Sequence, residues 1–172
     1  MPEAALPRAK RPTILVGMMS GVLWGIALIW IGVTQVPLPI FSLLPVLAFA
    51  FLGPGLFLML LVGRLAQRRF FDDAIIDGQP LVVGSAAEID QRVLTNTVEQ
   101  LVLALCLWPA TAYLSGNAGP GIVATLGIGF LVARLMFWAG YHLSPPLRGF
   151  GFAATFYPTI LALGYSILHW AF

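Results

Sequence analysis

Charged residues are the scarcest class in this chain of 172 residues, where Asp, Glu, Lys and Arg together make up only 9%. A typical soluble domain has about 25%. Hydrophobic residues account for 59% of the chain, and the mean hydropathy is +0.92. This composition excludes an ordinary soluble domain and predicts an integral membrane protein, in which each spanning helix needs about 20 apolar residues.

Cysteine is nearly absent as well. The single cysteine, Cys106, excludes an internal disulfide and any zinc or redox motif built from several cysteines. Because Cys106 lies in an apolar run, we expect it to be a small buried side chain. The chain also lacks a block of like charges that would indicate a nucleic-acid partner.

Clusters of metal-binding residues are scarce too. The closest approach is Asp72, Asp73 and Asp77, which have neither a glycine-centred calcium loop nor a histidine nearby. We therefore expect these three carboxylates to belong to a solvated loop and predict no metal site.

Long apolar runs predict five membrane spans. They cover residues 13–33, 40–62, 86–114, 121–143 and 150–171, after a polar N-terminal tail at 1–12. The first run is longer than the apolar core of a signal peptide and lacks a small-residue cleavage pair, so it predicts an uncleaved helix. Residues 63–91 carry too many charges for lipid, which predicts a long aqueous loop between the second and third spans.

Gly17, Gly21 and Gly25 form two overlapping G-x-x-x-G steps in the first span. Such steps allow another helix to approach closely. The pattern is compatible with a contact between subunits and with packing inside one chain.

The basic residues are distributed unequally across the five spans. All nine Lys and Arg residues lie on one side of the predicted membrane or at helix ends near that side, and the opposite turns have none. By the positive-inside rule, the N-terminus and the basic loops face the cytoplasm. We expect a bacterial inner membrane, or a cytosolic orientation if the host is eukaryotic.

The third span carries an unusual polar face. Ser85 and Glu88 form a capping-box pattern, which predicts a helix start near residue 86. Arg92, Asn96 and Glu99 then follow at i, i+4 and i+7 and share one side of the helix. Glu99 lies deep enough in the membrane to require a polar cavity, an amine or an arginine, so an internal Glu–Arg pair is an alternative to a binding site.

Two further arginines approach the same side of the membrane as Arg92. Arg134 comes from the fourth span, and Arg148 follows the corner at Pro145 and Pro146. Arginine stays charged and binds carboxylates with a bidentate fork. Converging arginines therefore favour a small ligand with carboxylates or a lipid headgroup phosphate.

These motifs resemble the MAPEG family, the membrane-associated proteins in eicosanoid and glutathione metabolism. The pattern R-x-x-x-N-x-x-E at Arg92, Asn96 and Glu99 is followed, one span later, by A-R-L-x-F-x-x-G-Y at residues 133–141 and then by Arg148. The resemblance covers about residues 40–172 and suggests a bacterial member with residues 13–33 as an additional transmembrane helix. It implies an all-α homotrimer of four-helix subunits, with glutathione as cosubstrate in cytosol-facing crevices between subunits.

The resemblance also implies roles for individual residues. Arg92 would bind a carboxylate of glutathione and Glu99 its amine, with Asn96 holding a further polar group. Arg148 would be the catalytic residue, since a fixed cation lowers the pKa of a thiol from about 8.5 and raises its reactive fraction. The other residues that the resemblance places in the pocket are Arg134, Tyr141, Arg68 and Gln100.

Two positions depart from the family pattern. Gln100 stands where glutathione-transferring members often have tyrosine directly after the glutamate, and Phe137 replaces another frequent tyrosine. Two hydroxyl donors are therefore missing from the predicted pocket. His142 lies close to these positions, and we expect it to have a structural role at the membrane interface rather than to act as a base.

The leading hypothesis is a membrane-bound glutathione transferase or peroxidase-like protein that acts on hydrophobic electrophiles entering from the bilayer. The alternative is a noncatalytic MAPEG-like module that binds a lipid headgroup or another small anion. A transporter or channel is disfavoured because the sequence shows neither an inverted repeat nor a row of intramembrane charges.

Overall fold

The structure, a computed structural model, describes residues 10–172. This part consists of five helices that are long and apolar enough to cross a membrane, without any strand, which confirms the all-α prediction. The helices are α1 (Lys10–Thr34), α2 (Leu43–Phe70), α3 (Ala86–Leu114), α4 (Gly119–Leu143) and α5 (Pro145–Ala171). Most of the tail predicted at 1–12 lies outside the described residues, and α1 begins at Lys10.

The connection between α2 and α3 is shorter than the predicted aqueous loop at 63–91. Helix α2 continues to Phe70 with Arg68 and Arg69 in its last turn, and α3 begins at Ala86, so the connection is only residues 71–85. Arginine stems pack along apolar surface while their guanidinium groups reach water, and cations suit a helix C-terminus. The arginines at the end of α2 therefore indicate where the membrane interface lies, and they do not indicate where the helix ends.

The start of α3 agrees with its predicted cap. Ser85 is extended, and its hydroxyl accepts a hydrogen bond from the backbone N–H of Glu88 at 3.2 Å. Helix α5 begins at Pro145, earlier than the predicted residue 150, because proline suits the first turn of a helix, where no backbone donor is needed. As a result, Arg148 lies in the first turn of α5.

Helix α1 packs along α5 of the same chain through its glycines. A Cβ atom on Gly21 would lie 2.8 Å from the carbonyl carbon of Ala153 and 2.9 Å from the nitrogen of Ala154. Gly25 would meet the nitrogen of Pro158 at 3.1 Å. The G-x-x-x-G steps thus serve packing within one chain, because only glycine lets the two backbones approach this closely.

We expect Gly21→Ala to lower the free energy of unfolding by about 1–3 kcal/mol, since the added methyl group must push α1 away from α5. The matched control is Gly63→Ala in α2, where a Cβ would meet nothing within 4 Å. That substitution is expected to be neutral or stabilising because alanine favours helix more than glycine does. Thermal unfolding of the detergent-purified protein measures both, and equal transition temperatures would contradict the packing argument.

Hydrogen bonds between side chains and neighbouring helices connect the bundle. Trp108 of α3 donates its indole N–H to the hydroxyl of Thr159 in α5 at 3.1 Å. Thr125 of α4 donates to the backbone oxygen of Leu28 in α1 at 3.0 Å. Such bonds stabilise helix association where the surrounding lipid offers no hydrogen-bonding partner.

Cys106 is exposed on α3, so the prediction of a buried side chain was wrong. In a membrane protein an apolar position can face lipid as well as the protein interior. Hydrophobicity alone therefore does not decide whether such a residue is buried by the rest of the chain.

Candidate functional site

A cavity of about 380 Å³ lies where α1, α3, α4 and α5 meet. Three predicted site residues line it, namely Asn96 from α3, Tyr141 from α4 and Arg148 from α5. The other lining residues are Ile14, Met18, Phe137, Pro145, Gly149 and Phe152. The cavity therefore combines a few polar groups with mainly apolar walls, as small-molecule sites commonly do.

Arg148 is the cation of this cavity. Its guanidinium carbon lies 5.0 Å from the ring centroid of Tyr141, at cation–π distance. A Cβ atom on Gly140 would lie 2.6 Å from the Cα of Arg148, so the glycine allows the two helices to meet at this point. No carboxylate forms an ion pair with Arg148 among the described residues, which leaves its charge available to an anion.

Arg134 does not line the cavity but lies behind it, fully buried. Its Nη1 donates to the side-chain oxygen of Asn96 at 2.8 Å, and its Nη2 donates to the backbone oxygen of Gly151 at 2.9 Å and to the Thr155 hydroxyl. The guanidinium carbon is 4.5 Å from the ring centroid of Phe137. Arg134 thus fixes the orientation of Asn96.

The residues on the predicted polar face of α3 differ in exposure and in the partners that they contact. Asn96 donates its amide to the Glu99 carboxylate at 3.1 Å, and Glu99 is exposed without an ion pair in the part of the chain that the structure describes. Arg92, whose side chain is 54% exposed, donates to the Glu88 carboxylate one turn earlier. The internal Glu–Arg pair considered for Glu99 is thus not formed within the described residues. Gln100 lies on the adjacent face and is buried.

Arg68 lies elsewhere, at a second cavity of about 480 Å³ that is formed by the end of α2, the connection and the start of α3. A buried carboxylate holds it there. Asp90 accepts hydrogen bonds from Arg68 Nε at 2.6 Å, from Arg64 Nε at 3.0 Å and from the Trp138 indole at 3.0 Å. One buried acid thereby connects α2, α3 and α4.

Sequence reasoning missed Asp90 because it assigned this residue to a solvated loop. The signal was present in the periodicity of α3. Asp90, Val93 and Thr97 fall at i, i+3 and i+7, and all three are fully buried. Arg64 and Arg68 are also one turn apart, so they can reach a single carboxylate from the same side of α2.

Comparisons with known proteins agree with the motifs. The sequence profile of the MAPEG family matches residues 42–168, which span α2 to α5 except for the last turn of α5. Neither the search of curated proteins nor that of solved structures found a significant match. The match covers well over half of the chain, and its helices are those that carry the polar residues described above. The chain is therefore an integral membrane protein that belongs to the MAPEG family.

Proposed function

We propose that this protein is a membrane-bound glutathione transferase or peroxidase-like enzyme that activates the glutathione thiol for attack on a hydrophobic electrophile. The observation that carries the proposal is Arg148, which has no carboxylate partner among the described residues and lies at an amphipathic cavity that also contains Asn96 and Tyr141. Membership of the MAPEG family supports glutathione as the cosubstrate.

In this mechanism Arg148 stabilises negative charge on the sulfur of glutathione. The thiol of glutathione loses its proton to water, and the nearby guanidinium stabilises the thiolate that forms. The sulfur then donates its electron pair to the electrophilic carbon, and the leaving group departs with the electrons of the broken bond. Arg148 contributes its positive charge and transfers no proton.

The polar residues of α3 would hold the rest of the tripeptide. Glu99 is an acceptor for the amine of glutathione, because its carboxylate has only Asn96 as a partner among the described residues. Arg92 is sufficiently exposed to exchange or share its Glu88 contact with a carboxylate of the ligand. Asn96 is oriented in advance by Arg134, and preorganisation reduces the entropy lost on binding.

We further propose a homotrimer with the binding sites between subunits. Within one chain, Arg68 belongs to a different cavity from Arg148, and Glu99 and Arg92 point away from the interior. A neighbouring subunit packed against this face would cover Glu99 and bring its own Arg68 to the ligand. Gln100 remains a proposed pocket residue, although its side chain is buried on the adjacent face of α3.

The distribution of basic residues supports an active site on the cytoplasmic side, and we propose the bacterial inner membrane as the location. Arg68, Arg92 and Arg148 then all lie near the aqueous phase that supplies glutathione. The hydrophobic electrophile would enter from the lipid.

Calorimetric titration of the detergent-purified protein with glutathione tests the proposal. We expect three glutathione molecules per trimer, with the trimer mass measured by light scattering after subtraction of the detergent. Absence of binding at millimolar glutathione would overturn the proposal. It would favour the alternative, a noncatalytic module for a lipid headgroup or another small anion.

Glu99→Gln is expected to weaken glutathione binding at least tenfold, since a hydrogen bond to a charged group contributes about 1.5–3 kcal/mol. The same substitution should leave the binding of N-acetylglutathione nearly unchanged, because acetylation removes the ammonium group that Glu99 would bind. Calorimetry with both ligands separates this role from a general loss of structure. Equal weakening of both ligands would contradict the assignment of Glu99 to the amine.

A further inference from the structure

The first helix forms part of the candidate site. Ile14 and Met18 of α1 line the same cavity as Arg148, Asn96 and Tyr141. Both precede residue 42, where the family match begins, so this wall belongs to the additional helix. We propose that Ile14 and Met18 form the binding surface for the hydrophobic group attached to the sulfur and thereby determine which electrophiles the enzyme accepts. The inference rests on the proposed function.

The position of this wall is fixed by backbone contact between α1 and the first turns of α5. A Cβ atom on Gly17 would lie 2.9 Å from the nitrogen of Phe150, and one on Gly149 would lie 3.6 Å from the backbone oxygen of Ile14. Both α5 residues are close neighbours of Arg148 in the chain. Ile14 and Met18 are four residues apart, on either side of Gly17 in the sequence, and share one face of α1. The close contact at Gly17 therefore holds both at a defined distance from Arg148.

The cavity has separate polar and apolar parts. Arg148 and Asn96 supply charge and hydrogen bonds, whereas Ile14, Met18 and Phe152 supply apolar surface. A ligand that fits both parts has an anionic or polar head and an apolar substituent. When the glutathione sulfur lies beside Arg148, an alkyl or aryl group on that sulfur contacts Ile14 and Met18.

A neighbouring residue offers a matched control. Met19 follows Met18 directly but points in another direction, and it is 62% exposed on the outer side of α1. Substitutions at the two positions change the same helix by the same chemistry. They differ in whether the side chain meets the cavity.

The experiment compares the affinities of glutathione and S-hexylglutathione, measured by calorimetry on the full-length wild-type protein and on variants. Each buried methylene contributes about fourfold in affinity, so the hexyl group should increase the affinity of the wild type by well over tenfold. Met18→Trp, which places an indole in the apolar part of the cavity, should reduce this gain at least tenfold. Met19→Trp should leave both affinities unchanged.

Met18→Ala provides a second variant in case the tryptophan disturbs folding. It removes contact surface without adding volume. We expect the increase in affinity from glutathione to S-hexylglutathione to be severalfold smaller than in the wild type. Suppose that glutathione binds and that the hexyl group increases affinity equally in the wild type, Met18→Trp and Met18→Ala. The assignment of Ile14 and Met18 to the binding surface is then wrong, and the proposed function is unaffected. If the wild type binds no glutathione, the proposed function fails and this inference fails with it.

Discussion

Replacement of Arg148 by alanine is expected to lower the rate of glutathione conjugation roughly 100-fold, the effect typical of removing one preorganised group that stabilises developing charge. Arg148 has no carboxylate partner among the described residues, so its charge is not already neutralised by the protein. Affinity for glutathione should fall much less, because the proposed contacts of Asn96, Glu99 and Arg92 with the tripeptide remain. The measurement is turnover of a hydrophobic electrophile, together with glutathione affinity by calorimetry.

Two companion variants make this result specific. Arg148→Lys keeps the positive charge without the planar fork, and it should recover part of the lost rate. Arg69→Ala removes an arginine from the last turn of α2, outside the 380 Å³ cavity, and should not affect turnover. Equal rates in Arg148→Ala and the wild type would exclude Arg148 from catalysis.

Loss of the Asp90 carboxylate is expected to give the largest change in stability. Its side chain is 1% exposed and accepts three hydrogen bonds, from Arg64, Arg68 and Trp138. Asp90→Ala leaves two guanidinium groups and an indole without their acceptor. The expected loss is about 3 kcal/mol, at the lower end for a broken buried pair, because Arg64 and Arg68 are 40% and 30% exposed and can regain water.

Asp73→Ala is the matched control for Asp90→Ala. It removes the same carboxylate from an exposed position in the connection between α2 and α3 and should change the unfolding free energy by less than about 0.5 kcal/mol. Denaturant unfolding in detergent, followed by circular dichroism, measures both variants. Similar unfolding free energies for the two would show that the buried network does not contribute to stability.

The sequence predicted five spans because hydrophobicity and helical periodicity are local properties. The Ser85 cap and its contact with Glu88 are equally local, and both were found where the capping pattern indicated. The bounds of α2 and α5 were less accurate. Charge at Arg68 and proline at Pro145 signal the membrane interface or a helix start, and neither fixes how far the helix continues.

Within one chain, only three of the predicted site residues line the 380 Å³ cavity. Asn96, Tyr141 and Arg148 share a cavity because α3, α4 and α5 converge there. Arg134 was expected to line the pocket and instead lies behind Asn96, held by the backbone of Gly151. Motif spacing gives the helix face of a residue, but the depth of its side chain depends on what packs against that face.

The sequence by itself determined the class of protein, the number of spans and the family, because composition, run length and motif order are read along the chain. The tertiary structure decided which polar groups meet. Asp90 joins partners 22, 26 and 48 residues away, and Met18 lines a cavity with Arg148, which is far from it in sequence. These contacts depend on the packing of one helix against another, and the close approach that glycine permits at Gly17 and Gly140 brings α1 and α4 against the turn of α5 that carries Arg148.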